Sequence, residues 1–176
     1  MPLESDPSLL PAECVVNSRE FLQHRWTAER PAFQRVLHAL PLAEFAYSPH
    51  ERSPSAAQIL WTLALEARAC SELIDARESN WLPDPPPAEP EKIVATFERH
   101  TAHLGERIGR LDESAWENKA RFLVQGKLAW EAPLGDLLWF MFFDSIHHRG
   151  QLSTYIRPMG GKVPSIYGPS GDNPGG

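Results

Sequence analysis

The sequence predicts an all-α protein, a four-helix bundle with irregular linkers and a Gly/Pro-rich C-terminal tail. Three observations carry this expectation. Most of the 17 prolines gather at Pro2 to Pro11, around Pro49 and Pro54, at Pro83 to Pro90 and from Pro158 onward. Between these clusters, apolar residues recur every three or four positions, with no strand-like alternation. At 176 residues and 42% hydrophobic content, the chain suits one domain, 1–176, with a sizeable core. Strand is expected to be nearly absent.

The first helix is predicted over about 18–40. Asn17 or Ser18 can cap it, and Phe21, Leu22, Trp26, Phe33, Val36, Leu37 and Leu40 form its stripe. Pro31 predicts a kink or local break, and Pro41 closes the helix. The second helix starts near Ser53 or Ser55, with Pro54 tolerated in its first turn, and covers about 53–76. Its stripe is Ile59, Leu63, Cys70, Leu73 and Ile74. A proline-rich loop, Pro83 to Pro90, separates it from a third helix over about 91–111. Ile93, Val94, Phe97, Thr101, Leu104, Ile108 and Leu111 give that helix its inner face. The next connection is longer, and part of Phe122 to Trp130 suits a short hairpin or an extended arm. The fourth helix, about 134–157, buries Leu134, Leu138, Met141, Ser145, Leu152 and Ile156 and stops at Pro158 and Gly160. In the tail, Ile166 and Tyr167 are placed to pin its first part to the bundle.

Composition narrows the function classes. Formal net charge is -6 and Lys/Arg residues are not clustered, which argues against nucleic acid as a partner. No apolar run is long enough to span a bilayer, and no basic region followed by an apolar run marks a signal peptide. Cys14 and Cys70 have neither metal-type nor redox-type spacing, and Cys70 reads as a buried free thiol. A cytoplasmic protein is the expectation.

Two ionisable groups fall where a purely structural bundle would not put them. Placing each residue 100° from the last sets Glu66 inside the stripe of the second helix and His148 between Met141 and Leu152 on the fourth. A buried carboxylate without a partner is costly. Asp144 lies one turn before His148, at the edge of the same face, and this i, i+4 spacing lets both reach one ion. Glu66, Asp144 and His148 are therefore candidate ligands for a divalent metal, with zinc, nickel and manganese as candidates. Alternatives stand beside this. Asp144 and His148 can form a simple hydrogen-bonded pair, and Glu66 can pair with Arg149 on the other flank of the fourth helix. His147 points away. His100 and His103 have a metal-compatible i, i+3 spacing, but His103 turns outward; these and His24, His38 and His50 read as surface histidines. Tyr155 shares His148's face and can offer a hydroxyl to a ligand, or serve as a core residue.

The segment Asp144-Ser-Ile-His-His-Arg-Gly-Gln-Leu-Ser-Thr-Tyr-Ile-Arg157 resembles the last-helix signature of the DinB (DinB/YfiT-like) family. The following Pro158-Met-Gly-Gly-Lys-Val-Pro-Ser-Ile-Tyr-Gly-Pro-Ser170 resembles the tail of one large branch. Weaker likeness runs from about Phe21, through Ala39-Leu-Pro41 and Ser48-Pro-His50, to Trp61 and Glu66. The resemblance implies an up-down-down-up four-helix bundle, often a homodimer, with a metal held by three histidines. Some relatives are thiol-dependent transferases or isomerases. Here the histidine of the second helix aligns with Thr62 and the first histidine of the fourth with Asp144; only His148 matches. The site thus reads as a carboxylate-rich variant, with Glu66 one turn beyond Thr62.

Two functions follow as expectations. One is a metal-dependent enzyme acting on a small thiol or another small molecule, a thiol-dependent S-transferase or a related hydrolase or isomerase; which residues would be catalytic is unknown. The other is a non-catalytic bundle with a degenerate, metal-free site that binds a small ligand or a protein.

Overall fold

A computed structural model describes residues 17–174. Helix dominates, in five segments: α1 (Ser18–Ala39), α2 (Ala56–Ala76), α3 (Pro90–Arg110), the short α4 (Glu113–Glu117) and α5 (Leu134–Ile156). Three strands, β1 (Glu78–Trp81), β2 (Lys119–Val124) and β3 (Lys127–Pro133), form one small sheet. Cys14 lies outside the described residues.

Local chemistry sets the helix ends. The Asn17 side chain accepts from the Glu20 backbone N–H and starts α1. Ser55 and Gln58 form a capping box at the head of α2, so Pro54 precedes the helix instead of occupying its first turn. Arg77, at φ 59°, closes α2 in the left-handed conformation, its N–H reaching Leu73 O. No break occurs at Pro31; α1 continues through it. Pro31 is exposed, so the carbonyl left without its usual helical donor sits on the side of α1 that faces water.

The sheet corrects the expectation that strand would be nearly absent. β2 and β3 are the hairpin foreseen within Phe122 to Trp130, turning at Gln125 and Gly126, both with positive φ. β1 was not foreseen. It pairs parallel to β2, Glu78 opposite Arg121 and Trp81 opposite Val124. Its four residues, Glu-Ser-Asn-Trp, carry no apolar alternation. The partner lies some forty residues away, so no local pattern announces the strand.

Two apolar clusters divide the bundle lengthwise. One joins Leu22 of α1, Cys70 and Leu73 of α2, Leu104 and Ile108 of α3, and Leu137, Leu138 and Met141 of α5. The other joins Val36, Leu37 and Leu40, then Ile59, Leu60, Leu63 and Ala64, Ile93 and Phe97, and finally Leu152, Tyr155 and Ile156. The start of α2 therefore meets the end of α5, and Glu66 falls level with the middle of α5. Phe21 departs from the predicted stripe: it is 51% exposed and stands against Trp139.

Gly135, in the first turn of α5, lies against the buried Trp116 indole, and a Cβ there would sit 2.3 Å from Trp116 Cε2. Gly135→Ala is expected to destabilise the fold by about 1–3 kcal/mol, the usual cost of overpacking, despite its better helix propensity. Denaturant unfolding checks this; an unchanged or raised midpoint would contradict it.

Candidate metal centre

Glu66 of α2 is 2% exposed at the seam with α5. Its Oε2 accepts a hydrogen bond from Ser145 Oγ at 2.8 Å, while its Oε1 is buried without a hydrogen-bond partner. That oxygen lies 3.5 Å from His148 Nε2, and Asp144 Oδ2 lies 3.8 Å from the same nitrogen. One potential ligand atom from each of Glu66, Asp144 and His148 falls within 4.8 Å of the others. Among the described residues no other trio of His, Cys, Asp or Glu converges in this way. Asp144 is at the half-exposed rim, so the cluster is closed on the Glu66 side and reachable from solvent on the other.

The electrostatics match the geometry. Burial pushes the Glu66 carboxyl up to about 9; the Ser145 hydroxyl opposes this and the Asp144 charge adds to it. No lysine or arginine among the described residues makes an ion pair with Glu66 or Asp144. The alternative partner, Arg149, instead donates to Glu29 Oε2 at 2.5 Å.

Imidazole orientation also suits a ligand. Tyr155 Oη donates to Pro54 O at 3.1 Å and accepts from Gln151 Nε2 at 3.5 Å. Gln151 Oε1 is thereby turned toward His148 Nδ1, at 3.4 Å. An Nδ1–H donating to this oxygen leaves the Nε2 lone pair facing the two carboxylates, the arrangement that metal-ligating histidines adopt. Tyr155 is buried, and its hydroxyl is spent on this chain of contacts instead of facing a ligand. One orphaned carboxylate oxygen, a second carboxylate and an imidazole nitrogen form a donor set that fits a divalent ion.

The sequence profile of the DinB family matches residues 14–174. The chain belongs to the DinB family. No curated protein matches the sequence. The DinB fold is seen again in solved structures. A DinB-like protein from Bacillus cereus superposes with a TM-score of 0.69 at 17% identity, over 84% of this chain and 97% of its own. A DinB-like protein from Bacillus subtilis gives 0.64 at 16% identity, over 83% and 96%. The mycothiol-dependent maleylpyruvate isomerase gives 0.52 at 17% identity, over 81% of this chain and 64% of its own.

Sequence reasoning missed a second buried charged group. Glu29 of α1 is 2% exposed and accepts from Arg25, Arg149 and, at 2.6 Å, Tyr167 Oη. Burial alone would raise its pKa, but the hydrogen bonds from Arg149 and Tyr167 and the Arg149 charge hold it below the usual range. The signal was present: Glu29 lies three positions after Trp26 and four before Phe33, inside the apolar stripe. The Arg149 guanidinium also lies 4.9 Å from the Phe33 ring and 5.0 Å from that of Tyr167, so the tail is tied to the bundle through Tyr167.

The remaining candidates do not join the site. Cys70 is a buried free thiol whose pKa is pushed up by burial. His24, His38, His50, His103 and His147 are exposed. His100 is half-buried, its Nδ1 2.9 Å from Ala64 O.

Proposed function

We propose that this DinB-family protein is a metal-dependent enzyme whose single divalent ion, zinc, nickel or manganese, is held by Glu66, Asp144 and His148. The observation that carries the reading is Glu66 Oε1: buried, without a hydrogen-bond partner, and aimed at His148 Nε2 and Asp144. A cation neutralises two carboxylates at once and takes up the imidazole lone pair, which no side chain nearby does. Such an ion would lower the pKa of a coordinated thiol or water. The chain itself fixes the three donors, closes one side of the site and leaves the Asp144 rim open to a small molecule.

A small thiol is the substrate class we favour, for thiol-dependent S-transfer or a related isomerisation or hydrolysis. The likeness to a mycothiol-dependent isomerase supports this choice. The test is titration of cobalt-loaded protein with a small thiol such as cysteine or glutathione. A saturable thiolate-to-cobalt charge-transfer band is expected, and its absence with fully loaded protein would contradict thiol chemistry. Under the non-catalytic reading Glu66 pairs with Arg149 or His148, or stays protonated, and holds no metal; Arg149 is already engaged by Glu29, which leaves His148, 3.5 Å away, or the proton.

We read the four long helices as an up-down-down-up bundle, supported by the way α1 and α5 share their starts in one apolar cluster and their ends in the other. No helix among the described residues is long and apolar enough to cross a membrane, and we take the protein to act in the cytoplasm, with neither nucleic acid nor membrane as partner. We also propose a homodimer. The outer face of α5 carries Phe140 at 50% and Phe143 at 63% exposure, flanked by Phe21 and Trp139. Exposed aromatic patches of this kind mark interaction sites. Light scattering at micromolar concentration is expected to give twice the chain mass, and Phe143→Glu to give the monomer. A monomeric wild type contradicts the proposal.

A further inference from the structure

Ser145 stands between the two α5 ligands, Asp144 and His148, yet it faces Glu66 across the helix seam. Its hydroxyl lies 2.8 Å from Glu66 Oε2 and 2.8 Å from Met141 O, one turn back on its own helix. A hydroxyl has one hydrogen, so these two acceptors compete for it. An ionised carboxylate is the stronger acceptor, and a carbonyl already within the helix ladder is the weaker. Whenever Glu66 is charged, the proton therefore belongs to Oε2. That bond leaves only Oε1 free, and Oε1 is the oxygen that looks at His148 Nε2 and Asp144.

We infer that Ser145 is a positioning residue for the metal centre: it holds Glu66 by one oxygen so that the other meets the ion in a fixed direction. The inference rests on the proposed metal site and adds to it an element that belongs to neither ligand set nor core. One short stretch of α5, Asp144-Ser-Ile-His-His148, thus supplies two ligands and the group that aims the third. Among the described residues Ser145 is the hydrogen-bond donor that Glu66 has. Ser145 also lines, with Cys70, Met141 and Thr101 among others, a narrow cavity of about 30 Å³.

The experiment is cobalt titration of wild type, Ser145→Ala and Ser145→Thr, reading affinity and the visible d–d spectrum, with melting of the metal-free proteins as a folding control. Wild type is expected to bind one ion per chain. Ser145→Ala is expected to bind about 10- to 100-fold more weakly, the usual cost of losing a group that orients a ligand, with an altered spectrum. Ser145→Thr restores the hydroxyl and is expected to recover both. A folded Ser145→Ala protein that binds as tightly as wild type, or tighter, with the same spectrum overturns the positioning role and leaves the metal site standing. So does a Ser145→Thr protein no better than the alanine variant. A wild type that takes up no ion overturns the site and the inference together.

Discussion

Glu66→Gln is expected to abolish divalent-ion binding while making the metal-free protein more stable at alkaline pH. In the folded chain burial raises the Glu66 carboxyl from 4.5 to about 9. Between those values the unfolded chain has lost the proton that the folded chain keeps. The folded state then binds more protons, so the metal-free wild type loses stability as pH rises through this window. One proton sets a ceiling of about 1.4 kcal/mol per pH unit. Glutamine mimics the protonated acid in shape, can still accept from Ser145 and has nothing to ionise. Melting with chelator present should therefore show the two proteins close together near pH 5 and the variant well above wild type near pH 9. Parallel curves would mean that Glu66 is not held in the low-dielectric site described.

Arg149→Ala is expected to cost about 3–5 kcal/mol of stability. It strands the buried Glu29 carboxylate, now held by Arg149, Arg25 and Tyr167, without its main countercharge. Glu29→Gln should cost less, because the amide oxygen can still accept from Arg149 or Tyr167. A joint replacement by leucine at both positions is expected to recover much of the loss, since an apolar pair avoids burying either charge. Urea unfolding of the three variants checks the order; an Arg149→Ala protein within 1 kcal/mol of wild type would contradict it.

Helical periodicity placed the four long helices within a few residues, because each buries one stripe along its length. The same 100° rule brought Glu66, Asp144 and His148 to notice before any tertiary contact was known. It failed where burial depends on a distant neighbour. Phe21 has the right spacing for the core, but α5 presents Trp139 there and the ring stays at the surface. β1 forms only because β2 passes beside the left-handed exit of α2 at Arg77. In the sequence Arg149 reads as a partner for Glu66, and Glu29 goes unnoticed. Packing decides for Glu29, since Phe33 and Tyr167 enclose the guanidinium on the α1 flank. Ser145 reads as a small core residue, and its role depends on the one angle that sequence does not carry, the rotation of α5 against α2.

The most direct test of the central claim is metal content. Wild type, purified gently or incubated with zinc, nickel or manganese and then freed of excess ion, is predicted to carry one ion per chain, and His148→Ala is predicted to carry none. If His148→Ala loses the ion while Glu66→Ala keeps it, the ion is real and Glu66 is not its third ligand. If wild type carries no ion and gains none from any of the three metals, the metal-centre account is wrong.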